Sequence, residues 1–123
     1  MLMDRPSHKE VSHKIKQARE AVSENQLSIL NPFIIAADAL GLGVNLQNIS
    51  SILIDLLEEI TPTHYVGQYP PQRSYEDEIK GCELLAFRWL SKKLGCRVYL
   101  KFAIKGNRMW LVSFHEDRKE DER

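Results

Sequence analysis

Apolar residues recur along this chain at two different periods, and the change from one to the other divides it. In the first half they return every three or four positions. Val11, Ile15, Ala18 and Val22 form one narrow stripe on an otherwise polar segment of residues 8–24, and Ser7 with Glu10 ahead of it makes a capping-box pattern. A stripe that narrow predicts a helix covering a core edge or pairing with a partner helix. Asn31-Pro32 opens a second helix, because Asn caps and Pro at the first helical position forfeits no bond. It runs through Phe33, Ala36, Ala37 and Leu40, and Gly41 or Gly43 ends it by supplying a left-handed residue. Asn45 is placed to cap a third helix, in which Leu46, Ile49, Leu53, Leu56 and Ile60 alternate steps of three and four. Ile52 and Leu57 widen that face, so this helix belongs at the centre of the core, and Thr61-Pro62 stops it.

Residues 61–74 follow with no periodicity, a length that marks a functional loop or one packed by its own aromatics. Ser74 and Asp77 predict the start of a fourth, long helix. Its first turn is acidic (Glu76, Asp77, Glu78), its last turn basic (Lys92, Lys93), and Gly95 closes it; Ile79, Cys82, Ala86, Trp89 and Leu90 would be its buried face. After Gly95 the period becomes two. Residues 97–105 and 108–115 flank Gly106-Asn107, the signature of a type II′ hairpin pairing Ile104 with Met109 and Phe102 with Leu111. Strict alternation sends Val98, Leu100, Phe102, Ile104, Met109, Leu111, Ser113 and His115 toward the helices. The other face takes Tyr99, Lys101, Ala103, Lys105, Arg108, Trp110, Val112 and Phe114. A lone hairpin is marginal, so a third strand near Tyr65-Val66 or an oligomer partner is expected. The fold class expected is α+β: about three N-terminal helices and one long helix packed on a C-terminal antiparallel hairpin or small sheet. One domain spans residues 1–123, with residues 1–6 and 116–123 as frayed tails.

Composition adds bounds. A chain of 123 residues with 43% hydrophobic content builds one core without disulfides or metal. Cys82 and Cys96 form no CxxC pair, the start from Met1 to Pro6 lacks an apolar signal segment, and no apolar run approaches a membrane span. A cytoplasmic protein with free thiols is the expectation. The 17 basic residues balance 17 acidic ones, which argues against a polyanion partner only if the charges are mixed. They are not: residues 79–115 hold eight basic side chains (Lys80, Arg88, Lys92, Lys93, Arg97, Lys101, Lys105, Arg108) and only Glu83 as acid.

Two constellations carry chemistry. On the outer hairpin face Tyr99 and Trp110 stand among Lys101, Lys105 and Arg108, with Arg97 extending the positive field. Rings that stack bases, interleaved with cations that meet phosphates, suit a sheet that binds single-stranded RNA. The bland alternative is a solvated sheet face with ordinary cross-strand pairs. The second set is His64, Tyr65, Tyr69 and Arg73 in the long loop, with His115 at the end of the last strand. Cleavage of RNA by its own 2′-hydroxyl needs a base, a proton donor and a cation for the phosphorane charge; histidine, tyrosine or lysine, and arginine fill these roles without metal. His115, His64 and Arg73 are the catalytic candidates, provided the fold brings them together.

Residues 99–116, from Tyr99-Leu-Lys-Phe to Val112-Ser-Phe-His-Glu116, resemble the closing hairpin of the RelE-like RNA-cleaving toxins, most nearly the MqsR branch. The resemblance implies a small α+β domain that cuts mRNA without a metal and is neutralised by an antitoxin, with Lys101 as a phosphate contact. His115 stands where that pattern has lysine. Other classes are excluded by charge or spacing. A helix-turn-helix over residues 32–60 would present a recognition helix with no Lys or Arg but with Asp55, Glu58 and Glu59. His8 and His13 are five apart and fall on different helix faces, no phosphate loop is present, and no metal or other cofactor is expected. Two functions follow: an RNA-binding protein of toxin-antitoxin type, extending to a metal-independent endoribonuclease; or a non-enzymatic protein-interaction or oligomerisation module. The second would use the helix 1 stripe (Val11, Ile15, Ala18, Val22) and the exposed Tyr and Trp surface for self-association or a protein partner.

Overall fold

The computed structural model describes residues 6–117. Its elements run α1 (His8–Ser23), β1 (Leu27–Ile29), α2 (Pro32–Leu40), α3 (Ile49–Glu59), β2 (Leu85–Ser91), β3 (Cys96–Lys105) and β4 (Arg108–Glu116). The fold is α+β, as the sequence predicts. Ser7 caps α1 reciprocally: its Oγ accepts from the Glu10 N–H at 3.1 Å, and its own N–H donates to Glu10 Oε1 at 2.8 Å. At the other end Asn25 turns left-handed with φ 61. The Gln26 N–H then reaches the Ala21 carbonyl at 2.8 Å and the Asn25 N–H reaches Val22 at 3.2 Å, a Schellman motif that redirects the chain into β1. The α1 stripe is not free for a partner: Val11, Ile15, Ala18 and Val22 are buried in the core of their own chain. Helix α2 starts at Pro32 as expected, but Asn31 takes φ 54 and makes no side-chain cap bond. Helix α3 begins later than the Asn45 cap predicts, because Asn45 and Asn48 bond each other's backbone N–H and spend a turn before Ile49.

The four strands form one mixed sheet in the order β1-β4-β3-β2, with β1 parallel to β4 and the other pairs antiparallel. One face packs on the helices through Leu85, Phe87, Val98, Leu100, Phe102, Met109 and Leu111. Residues 74–94, expected as one long helix, instead make a short 3-10 turn (Asp77–Ile79) and then strand β2. Leu84 to Phe87 is a run buried without a break, which a strand covered on both faces tolerates and an amphipathic helix does not. Leu90 is 65% exposed, against its expected burial. The signals that suggested helix ends belong to turns: Ser74 Oγ accepts from the Glu76 N–H at 3.0 Å, and Gly95, with φ 72, closes the β2–β3 hairpin.

The long loop packs on its own aromatics and edges the sheet. Tyr65 is buried, edge-on to Tyr69 and Phe87, and bridges to Phe87 in β2, where the third strand was expected. Its hydroxyl donates to the Gln68 carbonyl at 2.6 Å, and a methyl on Gly67 would overlap that ring. Burial, with Tyr69 and Glu83 adding to it, pushes the Tyr65 hydroxyl up to about 12.

In the β3–β4 hairpin Gly106 has φ 61, as a II′ turn requires, and Ile104–Met109 and Phe102–Leu111 pair as predicted. Beyond them the register shifts: Phe102 faces Leu111 but Lys101 faces Ser113, so Val112 is an extra residue. Every later side chain on β4 changes face. Phe114, expected outside, opposes Leu100 and is fully buried; Ser113 and His115, expected inside, turn outward. Glu116, expected in the frayed tail, is the last residue of β4, while residues 1–5 and 118–123 lie outside the described residues.

Two measurements test these features. Phe114→Ala should cost about 3–5 kcal/mol in urea unfolding, as a core deletion does. His115→Ala should cost about 1 kcal/mol or less, the reverse of unbroken alternation. The second test concerns Glu59 at the end of α3, which accepts from Trp89 Nε1 at 2.7 Å and from the Lys93 N–H at 2.8 Å. Burial pushes its carboxyl up, but the bonds from Trp89, the Lys93 and Lys92 backbone and Ser91 outweigh this and leave it lowered. A depressed folded value means stability that is full above the unfolded carboxylate range and is lost as pH falls through the folded one. Glu59→Gln should therefore cost about 1–2 kcal/mol at neutral pH, and the gap to wild type should close in acid.

Candidate nucleic-acid interface

The bulge at Val112 assembles the outer face of the sheet. Arg88 on β2 pairs with Tyr99 on β3, and Tyr99 pairs with His115 on β4, so the three side chains form one row across three strands. Strand alternation carries all three outward. The Arg88 guanidinium lies 5.0 Å from the Tyr99 ring centroid, and the His115 ring stacks on Tyr99 at 5.1 Å and 25°. His115 Nδ1 lies 2.8 Å from the Glu116 carbonyl. A carbonyl only accepts, so Nδ1 carries the proton in this bond and the neutral ring keeps its lone pair on Nε2.

The next row is Ala86, Lys101 and Ser113. Lys101 makes no side-chain hydrogen bond or ion pair among the described residues, and it lines an open cleft of about 240 Å³ with Asn31, Gln72, Arg73 and Tyr75. Tyr75 is 86% exposed. Arg73 is fixed by donating to the Gly81 carbonyl at 2.7 Å, and the residue 73 backbone bridges to Glu83. The structure thus brings Lys101 and Arg73 to one cleft on the face that carries Tyr99 and His115.

The other expected contacts are spent elsewhere. Past the Lys101 row the outer face is covered: Ile79, Leu84, Leu30 and Ala103 form a second buried cluster, with Trp110, Val112 and Cys82 packed on it. Trp110 therefore supports this cover rather than standing open. Lys105 Nζ donates to the Glu78 carbonyl at 2.7 Å and ties the cover to the hairpin. Arg108 donates to Ser28 Oγ and Gln26 Oε1, both at 2.9 Å, and so clamps β1 onto β4. Arg97 faces Asp117 at 3.6 Å. Burial, with the Glu116 carboxylate adding to it, pushes the Cys96 thiol up, which keeps it protonated.

His64 stands apart from His115. Its Nδ1 accepts from the Thr61 N–H at 3.1 Å, capping the 3-10 turn Pro62–His64. Its ring lies 6.5 Å from Trp89, on the helix side of the β2 edge. The sheet separates the two histidines, so the expected trio does not form one cleft. Arg88 takes a place that the sequence reading left empty, because a helix over residues 74–94 gave it no strand partner. Only the pairing of β2 with β3 sets it beside Tyr99.

Among the described residues no helix is long and apolar enough to cross a membrane. Comparison with protein-family models and with curated proteins finds no match to the chain.

Proposed function

We propose that this is a cytoplasmic RNA-binding protein of toxin-antitoxin type, which lays a single strand over the open outer face of the sheet and cleaves it without metal. The observation that carries the reading is the Arg88–Tyr99–His115 row beside Lys101 and Arg73. It offers a stacked row of arginine, tyrosine and histidine, two nearby cations, and a histidine whose Nδ1 bond leaves Nε2 as the basic nitrogen. The likeness of residues 99–116 to the hairpin of the RelE-like toxins agrees with it, although His115 stands where that pattern has lysine.

Each group has a role in this reading. Lys101 and Arg73 hold phosphate, and Tyr99, sandwiched between Arg88 and His115, holds the histidine ring in position. Nε2 of His115 takes the proton of a ribose 2′-hydroxyl. The 2′-oxygen forms a bond to the adjacent phosphorus as the bond to the 5′-oxygen breaks, leaving a cyclic phosphate. The Tyr99 hydroxyl or the Lys101 ammonium returns a proton to the departing 5′-oxygen, and Arg88 stabilises the phosphorane charge.

Affinity for an unstructured RNA should fall steeply with salt, and Lys101→Ala should flatten the log–log slope by about 0.7, the value for one phosphate on a single strand. In EDTA the wild type should cut that RNA and His115→Ala should not. Intact RNA at high protein concentration removes the cleavage, and absence of salt-dependent binding removes the whole reading.

A second reading, an oligomerisation module, draws on α2. Phe33 is 94% exposed, and Ile34 and Leu40 share its surface at 61% and 66%. An apolar patch is complementary to itself, so a second copy would bury it about a twofold axis. Sedimentation should then show a dimer that Phe33→Ser converts to monomer; a wild-type monomer at high concentration excludes it.

A further inference from the structure

The open face ends at Arg88, Arg97 and Asp117, and Asp117 is held there in an unusual way. Its N–H donates to the Arg97 carbonyl at 2.9 Å, one step past the end of β4. Its side chain is only 3% exposed. Oδ1 accepts from Arg88 Nε at 3.1 Å, but Oδ2 stands 3.6 Å from Arg97 Nε and, though buried, has no hydrogen-bond partner among the described residues. Burying a carboxylate is offset only when both oxygens are satisfied, so this one fits its surroundings by half. The two guanidinium groups remain reachable, with side-chain exposures of 27% and 56%. Arg88 is also the cation over the Tyr99 ring.

An arginine pair of this kind suits an anion with several oxygens in a fork arrangement, which a phosphodiester supplies more fully than one carboxylate. We propose that Arg88 and Arg97 form a seat for an RNA phosphodiester, occupied in the free protein by the chain's own Asp117 carboxylate, which competes with RNA for it. This rests on the RNA-binding reading and adds regulation to that surface. Release requires one terminal backbone bond and one well-made side-chain bond to break. Apparent affinity is reduced by the fraction of molecules in which the seat is filled. The sequence continues the theme, since Glu116 and Asp117 open an acidic segment that includes Glu120, Asp121 and Glu122.

Fluorescence anisotropy of the full chain with a labelled single-stranded oligouridine tests the idea. Asp117→Asn should bind about five- to tenfold more tightly, with a log–log salt slope steeper by about 0.7 for the phosphate gained. Adding Arg97→Gln to that variant should abolish the gain. Glu116→Gln removes a neighbouring charge outside the seat and should change affinity less than about twofold. In the wild type, the Arg88 Nε–H resonance should shift on addition of the oligonucleotide, a readout that needs no variant to fold. Equal affinity of wild type and Asp117→Asn overturns the competition and leaves the RNA reading standing. An equal gain from Glu116→Gln overturns the seat in favour of general charge. An unshifted Arg88 resonance during binding also overturns the seat. If neither protein binds oligouridine, the RNA reading itself falls.

Discussion

The single extra residue at Val112 is the constraint on which both faces of the sheet depend. Side chains on a strand alternate with period two, so one inserted residue exchanges the destinations of everything beyond it. Without it Phe114 would leave the core and His115 would enter it. With it, Phe114 opposes Leu100 inside and His115 reaches Tyr99 outside. The core gains an aromatic ring and the outer face gains an imidazole from the same displacement. Stability and the candidate chemistry are therefore coupled through the backbone register of β4.

Around that register the rest of the molecule is tied by a few polar clasps between distant segments. Glu59 joins the end of α3 to β2 and to the β2–β3 turn. Arg108 joins β1 to the start of β4, and Lys105 joins the hairpin tip to the segment covering the outer face. These bonds account for why the basic residues of this region do not act alike. Eight cations read along the sequence as one positive field, yet several are committed to internal acceptors. The strip of outer face that these clasps leave uncovered is narrower, running from Arg88 through Tyr99 and His115 to Lys101 and Arg73, and within it Arg88 is itself tied to Asp117 and Arg73 to the Gly81 carbonyl.

The candidate site was legible in part. Tyr99 and Lys101 lie on the face that alternation assigned them, because the hairpin turn fixes register for the first few pairs. His115 was recognised by type but assigned to the wrong face, since a bulge has no signature in an apolar-polar pattern that stays permissible either way. Arg88 was missed through the misread helix over residues 74–94. There, Ser74, the acidic triplet, Lys92-Lys93 and Gly95 satisfied every local rule for helix ends. The same residues serve turns equally well: a serine oxygen bonds two residues on, and a left-handed glycine closes a hairpin as readily as a helix.

By itself the sequence determined the local structure whose energetics are local. The capping box on α1, the Pro32 start of α2, the apolar face of α3 and the Gly106-Asn107 turn each depend on neighbours within a few residues. Tertiary structure decided the elements that exist only by pairing. Strand β1 is three residues long and has no stability apart from β4, and β2 needs β3 to overrule its helical cues. The bulge at Val112 likewise rests on burying Phe114 against a core that distant segments build. A chain pattern encodes period, but the choice of which face an offset residue takes is settled by what lies across the sheet.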